Sequence, residues 1–339
     1  MSTLRRSSEG CTTRGVVGLT LNFRDAARTA RCVRSLLADG AAQVLVWDNS
    51  DDGGASAAAL CALLDDARVS VVVAAANLGF AAGVNRALEW IGARYPRTCV
   101  MLLNNDAELR GGALAALCAA LDAVPDAVLA YPRIAQARGS TGTVYYQPHL
   151  ALLTRRRWPL SVPHASGCAI LFDPARLPAP LFDEAFFMYG EDAELGLRLA
   201  ATGRTMVHVP QELVRHDGSA SSGAGSAFYE ARMVAAHCIL ARRIARSRLA
   251  YAWLIGARAL VLPARALLRA YRQRSVQPLR ALRDGWRLAR GDDPALRAAR
   301  QAQAQAQAQS ASSAASSAAH TASALTASIQ RNAPDGERR

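Results

Sequence analysis

Four apolar segments alternate with helical patterns in the first 130 residues, and this alternation constrains the fold more than any other feature. The segments are VVGLTLNF at 16–23, QVLVWD at 43–48, VSVVVA at 69–74 and CVMLLN at 99–104. Each is continuously apolar, which is typical of strands that are buried on both faces of a parallel sheet. The pattern therefore predicts an α/β fold in which helices cover a mainly parallel, Rossmann-like sheet.

Polar residues follow each of these strands. They are Asn22, then Asp48 and Asn49, then Asn77, and finally 104–106. In open α/β sheets, ligands bind beyond the carboxyl ends of the strands. The convergence of polar residues predicts a ligand site at that edge.

The basic charge is confined to one segment. The chain has a net charge of +13, and all 40 basic residues are arginine. Residues 231–290 hold 14 arginines and a single acid, Asp284, so the rest of the chain balances to zero. A nucleic-acid enzyme usually spreads positive charge along its groove. We therefore interpret this segment as an attachment device and expect no nucleic-acid partner.

Cysteine usage and hydropathy indicate a cytoplasmic protein. Seven scattered cysteines form no CxxC pair, which disfavours a disulfide framework or zinc site and fits a reducing compartment. The N-terminus lacks the apolar stretch of a secretory signal. The longest apolar stretch, 249–257, ends at Arg258 and falls short of the roughly 20 residues that a spanning helix needs. We expect no transmembrane segment and expect the helical pattern to break at Pro263.

Two loops are suited to a nucleotide. Asp48 and its neighbours can accept hydrogen bonds from an imide N–H or a ribose hydroxyl; an Asx turn is the alternative, and the motif alone favours it. The loop at 77–85 contains Gly79 and Gly83, which let a backbone approach a ligand before a helix N-terminus. A plain strand-to-helix turn is the alternative there.

Carboxylates at two further places are candidates for chemistry. Asp106 and Glu108 stand two residues apart just past a strand, where both can face one Mg²⁺ or Mn²⁺ ion; helix capping by Asp106 is the alternative. Glu191 and Asp192 open an amphipathic helix after an aromatic run, and a carboxylate there is either a helix-dipole partner or a general base. His216 is a lone histidine, and such residues are more often structural than ligands.

Taken in order, these pieces resemble a known family. LTLNF, VWDNS, NLGFAAGVNRAL, LLNNDAEL, SGCAILF, FFMYGEDAELGLRLAATG and VRHDGSAS follow one another between about residues 16 and 235. This series resembles the inverting family-two glycosyltransferases of the GT-A fold, particularly their bacterial rhamnosyltransferase-like and galactofuranosyltransferase-like branch. The sequence has NDAE where the family has its DxD metal motif.

The resemblance implies a role for each candidate residue. Asp48 would contact the nucleobase of a nucleotide sugar, and Asp192 would take the proton from the acceptor hydroxyl. Asp106, Glu108 and His216 would hold a divalent ion, Mg²⁺ or Mn²⁺. The remaining donor-binding positions would be Asn22, Asn49, Asn77, Gly79, Asn85 and Asn105.

The resemblance also implies a reaction. The enzyme would transfer a sugar from dTDP-rhamnose or a UDP-sugar to a hydroxyl of a saccharide, carried on a polyprenyl diphosphate, in bacterial cell-surface polysaccharide synthesis. A nucleotidyltransferase of similar fold and a non-catalytic basic membrane or nucleic-acid adaptor are the alternatives. The first usually needs a glycine-rich phosphate loop after its first strand, where this chain has NFRDAARTA. The second leaves Asp48, Asp106 and Asp192 unexplained.

We expect four segments along the chain: a disordered N-terminus at 1–14, a GT-A domain at 15–230, a basic amphipathic helical region at 231–290, and a disordered low-complexity tail at 291–339. Helices with leucine and aromatic residues on one side and arginines elsewhere can lie in a lipid headgroup layer. We therefore expect peripheral attachment to the inner face of the cell membrane, with a helical cap or a dimer contact as alternatives.

Overall fold

The four predicted strands form one half of a nine-stranded sheet in the computed structural model, which describes residues 10–137, 139–218 and 226–309. The strands are β1 (Val16–Asn22), β2 (Gln43–Asp48), β3 (Val69–Val73), β4 (Cys99–Leu103), β5 (Ala107–Leu109), β6 (Ala127–Gln136), β7 (Gly139–Thr141), β8 (Val144–Gln147), β9 (Leu152–Thr154), β10 (Val162–His164), β11 (Ala169–Phe172) and β12 (Thr205–His216). The large sheet has the order β3-β2-β1-β4-β11-β6-β12-β5, with β7 beside β6, and β10-β8-β9 form a second sheet.

Helices lie on both faces of the large sheet. They are α1 (Cys11–Arg14), α2 (Ala26–Ala38), α3 (Ala55–Leu63), α4 (Gly79–Arg94), α5 (Ala113–Ala123), α6 (Glu191–Ala201), α7 (Ala227–Ile244), α8 (Arg248–Gln273), α9 (Gln277–Ala289) and α10 at 294–309. Neighbouring residues of a strand enter different cores: Val44 belongs to the core that includes α2 and α5, whereas Leu45 belongs to the core that includes α4 and α6. Burial on both sides explains why these strands are continuously apolar.

Strand register aligns the ends of three parallel strands. β1 lies between β2 and β4, with Asn22 opposite Asp48 and Leu19 opposite Leu102. Asn22 and Asn105 each lie three residues beyond the Leu19–Leu102 pair, so the same register places them side by side. The polar residues predicted to converge therefore do lie side by side at the carboxyl edge of the sheet.

The other half of the sheet is mixed in direction and returns two later segments to the same edge. β11 runs antiparallel to β4, with Ala169 opposite Leu103, so the loop before β11 reaches the end of β4. β12 pairs antiparallel with β5 and places His216 opposite Ala107. The predicted α/β class is confirmed, with the parallel pairing strongest in the N-terminal half.

Helix α8 differs from the expected break at Pro263. It runs unbroken for 26 residues with that proline inside. The carbonyl of Ala259 loses its intrahelical partner to the proline ring, but Ala259 is exposed, so water can satisfy the carbonyl. Among the described helices, α8 is long and apolar enough to cross a membrane by length and composition alone.

Both predicted disordered ends contain structure where they are described. At the N-terminus, Asp122 accepts hydrogen bonds from the backbone N–H of Cys11 and Thr12, which fixes α1 against α5. At the other end, 294–309 is helical, and its Ala299 is buried against Leu78 and neighbouring alanines. The positions of this helix that are at least partly buried, 295, 296, 299, 302, 303 and 306, recur at helical spacing, so one side of it is covered. Residues 1–9 and 310–339 lie outside the described residues.

Candidate active site

Asp48 offers one acceptor oxygen at the sheet edge. Asn22 Nδ2 donates to Asp48 Oδ1 over 2.8 Å, and Ser50 Oγ donates to the same oxygen. All three residues are buried. Oδ2 of Asp48 is also buried and has no hydrogen-bond partner within the described part of the chain. Because a buried carboxylate oxygen normally has a donor, this atom is suited to accept one from a ligand.

Thr29 of α2 joins the ends of two strands. Its hydroxyl lies 2.7 Å from Asn22 Oδ1 and accepts from Asn105 Nδ2 over 3.1 Å. Asn22 and Asn105 thus meet at one side chain, as the strand order requires. Their predicted donor contacts remain predictions, and the structure shows that they brace Asp48 and the loop that carries Asp106.

Asp106 and His216 form a close pair. His216 Nε2 lies 3.0 Å from Asp106 Oδ1, and both side chains are largely buried. Burial alone would lower the pKa of His216, but Asp106 and the Cys168 thiol outweigh it and raise that pKa to about 10. At neutral pH the pair is an imidazolium and a carboxylate.

Glu108 does not join that pair, contrary to the sequence expectation. Its Oε1 lies 3.3 Å from Arg31 Nε and 3.1 Å from Arg215 Nη2. Two guanidinium groups hold this carboxylate at the partly exposed rim. Over residues 10–137, 139–218 and 226–309, no group of three or more His, Cys, Asp and Glu side chains is placed to hold a metal ion. Of the three predicted ligands, the structure brings Asp106 and His216 together and places Glu108 with Arg31 and Arg215; the metal site itself stays a prediction.

Asp192 lies at the start of α6 and borders a cavity of about 270 Å³. Its Oδ2 accepts from the backbone N–H of Gly167 over 3.3 Å, and its side chain is 27% exposed. Three tyrosines also border the cavity: Tyr146, Tyr189 and Tyr229. Asp192 is thus a carboxylate with access to a partly aromatic cavity, which is the setting that a general base requires.

The neighbouring carboxyl group of Glu191 is not equivalent. It is buried, and burial together with the charge of Asp192 raises the pKa of Glu191 to about 8. At neutral pH Glu191 is mainly protonated. The structure therefore separates two adjacent acids that the sequence places at the same helix start, and Asp192 is the one that contacts the loop before β11.

His164 is a site residue that the sequence analysis missed. It ends β10, borders the cavity, and its Nδ1 lies 3.9 Å from Asp192 Oδ2. Its Nε2 is buried without a hydrogen-bond partner in the described chain. A Cβ atom at Gly196 would lie 2.4 Å from the Cβ of His164, so α6 needs glycine there for β10 to approach. The only sequence signal was a histidine shortly before SGC in an irregular segment.

The loop at 77–79 is organised by side chains that were predicted to bind the donor. Asn49 Nδ2 donates to the Gly79 carbonyl over 2.9 Å, and Asn49 Oδ1 accepts from Leu78 N–H. Asn77 Oδ1 accepts from Gly79 N–H over 3.0 Å. Gly79 has φ +78°, and a Cβ atom there would lie 2.4 Å from the Phe187 carbonyl oxygen. These contacts shape the loop, and the Asn49 amide is occupied by them.

Asn85 is held by the segment that precedes α6. Its Nδ2 donates to the Phe182 carbonyl and to Glu184 Oε1, and its Oδ1 accepts from Phe182 N–H. Both ends of the amide therefore fix that segment, and the predicted place of Asn85 in the donor pocket stays a prediction.

The three candidate acids lie at one edge and are connected through short contacts. Asn105 and Asp106 are consecutive, so the Asp48 network adjoins the Asp106–His216 pair. Asn104 N–H donates to the Cys168 carbonyl over 2.9 Å, and the preceding Gly167 contacts Asp192. The cavity itself is bordered by Asp192 and by neither Asp48 nor Asp106.

Comparison with known proteins supports a transferase. Residues 20–175 match the family described as "Glycosyl transferase family 2", a span of slightly less than half the chain. The match includes the end of β1, β2 to β4, the Asp48 network and Asp106. It supports a nucleotide-sugar glycosyltransferase and agrees with the predicted fold class. No curated protein matches the chain.

Several solved structures are similar to this chain at low identity. S. aureus TarS 1-349 is 13% identical, with a TM-score of 0.48 and 81% of each chain covered. Mannosyltransferase PcManGT from Pyrobaculum calidifontis, in complex with GDP-Man and Mn²⁺, is 14% identical, with a TM-score of 0.46 and coverage of 84% of this chain and 90% of that one. GalNAc-T7 with UDP, GalNAc and Mn²⁺ is 13% identical, with a TM-score of 0.47 and 64% of this chain covered; the chain spans about half the length of that protein, 48%.

Proposed function

We propose that this chain, which carries a family-two glycosyltransferase match over residues 20–175, transfers a sugar with inversion from dTDP-rhamnose or a UDP-sugar to a saccharide hydroxyl. The acceptor is carried on a polyprenyl diphosphate, and the protein works on the cytoplasmic side of the cell membrane in surface polysaccharide synthesis. One observation carries the proposal: Asp192 borders a cavity at the same sheet edge that holds Asp48 and Asp106.

The proposed reaction is a single in-line displacement. The acceptor oxygen attacks the anomeric carbon, the bond from that carbon to the donor diphosphate breaks, and the acceptor proton passes to Asp192. One displacement inverts the anomeric configuration. The Gly167 N–H orients the Asp192 carboxylate, and the protonated Glu191 beside it does not compete for the proton.

Asp48 is proposed to recognise the base of the donor. Uracil and thymine both present an imide N–H, which the unpartnered Oδ2 of Asp48 can accept. Asn22 and Ser50 hold the other oxygen and so fix the direction of Oδ2. This contact would suit uridine and thymidine donors alike and would not distinguish between them.

Asp106 and His216 fit a divalent ion. Their carboxylate oxygen and imidazole nitrogen already lie 3.0 Å apart and are largely buried. Mg²⁺ is typically bound by one or two protein ligands, with substrate phosphates and water completing its coordination. Mn²⁺ or Mg²⁺ would supply charge neutralisation for the leaving diphosphate. His216 would lose its proton on binding the ion, and Glu108 has no part in the site.

The cavity beside Asp192 is proposed to receive the acceptor sugar. Tyr189 and Tyr229 pack edge to face with ring centroids 5.0 Å apart and present apolar surface to it. His164 Nε2, which is buried without a partner among the described residues, is placed to hydrogen-bond a sugar hydroxyl.

A donor panel tests this function. The purified full-length protein is incubated with dTDP-rhamnose, UDP-glucose, UDP-galactose and UDP-galactofuranose, with and without MnCl₂, and nucleotide release is measured. We expect release from one donor class, dependent on the metal and lost in Asp192→Asn. No release and no binding for any donor would contradict the proposal, and pyrophosphate release from a nucleoside triphosphate would favour a nucleotidyltransferase instead.

A further inference from the structure

Helix α8 presents a long apolar stripe to solvent. Besides Leu268, five large exposed side chains form this stripe: Leu249 (84%), Trp253 (66%), Leu260 (75%), Leu267 (58%) and Tyr271 (85%). Intervals of four and seven residues place them on one side of the helix. At 1.5 Å per residue the stripe extends about 33 Å. Soluble monomers rarely leave so large an apolar patch uncovered.

The opposite side of α8 carries arginines that face the rest of the protein. Arg258 is fully buried and donates to the His237 carbonyl over 2.5 Å and to the Tyr146 hydroxyl over 2.9 Å. Arg269 pairs with Glu230 at 2.5 Å. A surface helix normally has the reverse arrangement, with its charges outward. Because a buried arginine without partners is costly, these contacts fix the apolar stripe outward.

We propose that the α8 stripe lies flat on an anionic lipid bilayer. Its leucines would enter the boundary between headgroups and acyl chains, and the ring of Trp253 suits the headgroup level. Exposed arginines flank both ends of the stripe, Arg246 and Arg248 at one end and Arg272 and Arg274 at the other. Guanidinium groups in these positions match lipid phosphates.

Charge favours a bilayer over the other occupants. Residues 231–290 carry 14 arginines and one acid, so two copies packed through this stripe would bring like charges together, which opposes association. A bilayer-spanning α8 would have to strip Arg258 and Arg269 of their partners. In an anionic leaflet the apolar stripe can contact acyl chains while the arginines contact lipid phosphates.

The stripe also lies close to the catalytic cavity. Tyr146, which accepts from Arg258, borders the cavity beside Asp192. One helix of about 10–12 Å diameter therefore separates the proposed lipid surface from the cavity wall. This step rests on the proposed function: a transferase with a lipid-linked acceptor would work on a headgroup held at that distance. The docking itself does not depend on catalysis.

Vesicle sedimentation with the full-length protein tests the docking. Vesicles of phosphatidylcholine with half phosphatidylglycerol are compared with vesicles of phosphatidylcholine alone, without any sugar nucleotide. The Leu260→Glu/Leu267→Glu variant alters the stripe. The control, Leu63→Glu/Val73→Glu, places the same change at two exposed apolar residues of α3 and β3. Circular dichroism and the unfolding midpoint verify that both variants fold.

We expect the wild type to bind the anionic vesicles, high salt to release part of it, and the stripe variant to lose about tenfold or more of its partition coefficient. The control should stay within about twofold of the wild type.

Equal binding by the stripe variant and the wild type would overturn the proposal. A wild-type dimer that the stripe variant converts to a monomer, without vesicle binding, would assign the stripe to a second copy instead. Vesicle binding without nucleotide release would support the docking and overturn the proposed catalysis. Nucleotide release without vesicle binding would support the catalysis and overturn the docking.

Discussion

His216 Nε2 lies 3.0 Å from Asp106 Oδ1 although the two residues are 110 positions apart in the chain. The antiparallel pairing of β12 with β5 creates this contact by placing His216 opposite Ala107. One consequence is that the proposed ion site combines a strand-end carboxylate with a histidine from the last strand. A second consequence is that Glu108, two residues from Asp106, is directed toward arginines instead.

Substitution of the two candidate ligands should abolish metal dependence. We expect Asp106→Asn and His216→Ala to lose the stabilisation that MnCl₂ with UDP gives the wild type in thermal unfolding. Glu108→Gln should keep it, because Arg31 and Arg215 bind that carboxylate. Loss of the Mn²⁺ effect in Glu108→Gln alone would show that the sequence-based assignment of Glu108 was right.

Asp192→Asn should lower turnover by about 100- to 10,000-fold, the usual contribution of a general base. Donor affinity, measured by calorimetry, should change little because the cavity that Asp192 borders is the proposed acceptor side. Glu191→Gln is the matched control: it replaces an adjacent carboxyl that is mainly protonated at neutral pH and should keep most of the turnover. Equal losses in the two variants would contradict the assignment of the base.

The pH dependence of stability should reveal Glu191. Burial and the charge of Asp192 raise its pKa from 4.5 to about 8 in the folded protein. The folded state therefore holds a proton that the unfolded state releases, so the free energy of unfolding falls as pH rises from about 5 to about 8. Glu191→Gln should lack this part of the fall and gain stability over the wild type at pH 9. Urea unfolding at pH 5 and pH 9 measures it, and identical slopes with pH would refute the buried acid.

Asp48→Asn should weaken donor binding. The substitution replaces a charged acceptor for the imide N–H, a hydrogen bond whose loss typically costs about 1.5–3 kcal/mol, or roughly 10- to 150-fold in affinity. Calorimetry with UDP and dTDP measures the effect, which should be similar for both nucleotides. An unchanged dissociation constant would mean that Asp48 serves only the local turn formed with Asn22 and Ser50.

The edge of the sheet was predictable because its physical cause is local. Continuously apolar strands imply a sheet covered on both faces, and parallel strands bring their carboxyl ends together, so Asn22, Asp48 and Asn105 could be expected at one place. Strand register then decides which of these residues are neighbours, and the structure confirms that they adjoin.

Several residues were beyond sequence reasoning because their partners come from distant segments. Asn85 is occupied by Phe182 and Glu184, nearly a hundred positions away. His164 reaches the site only because β10 approaches α6 at Gly196. For α8, composition shows leucines and arginines on a helix but not which side of the helix faces the protein. The structure shows it, because the buried Arg258 donates to the Tyr146 hydroxyl and so turns its side of α8 inward.

A crystal structure of the full-length protein with Mn²⁺ and the UDP or dTDP sugar that it binds is the most direct test. The account predicts a nucleobase against Asp48 Oδ2, diphosphate beside Asp106 and His216, and an anomeric carbon facing the cavity at Asp192. A nucleotide bound elsewhere, or one whose sugar points away from Asp192, would contradict it.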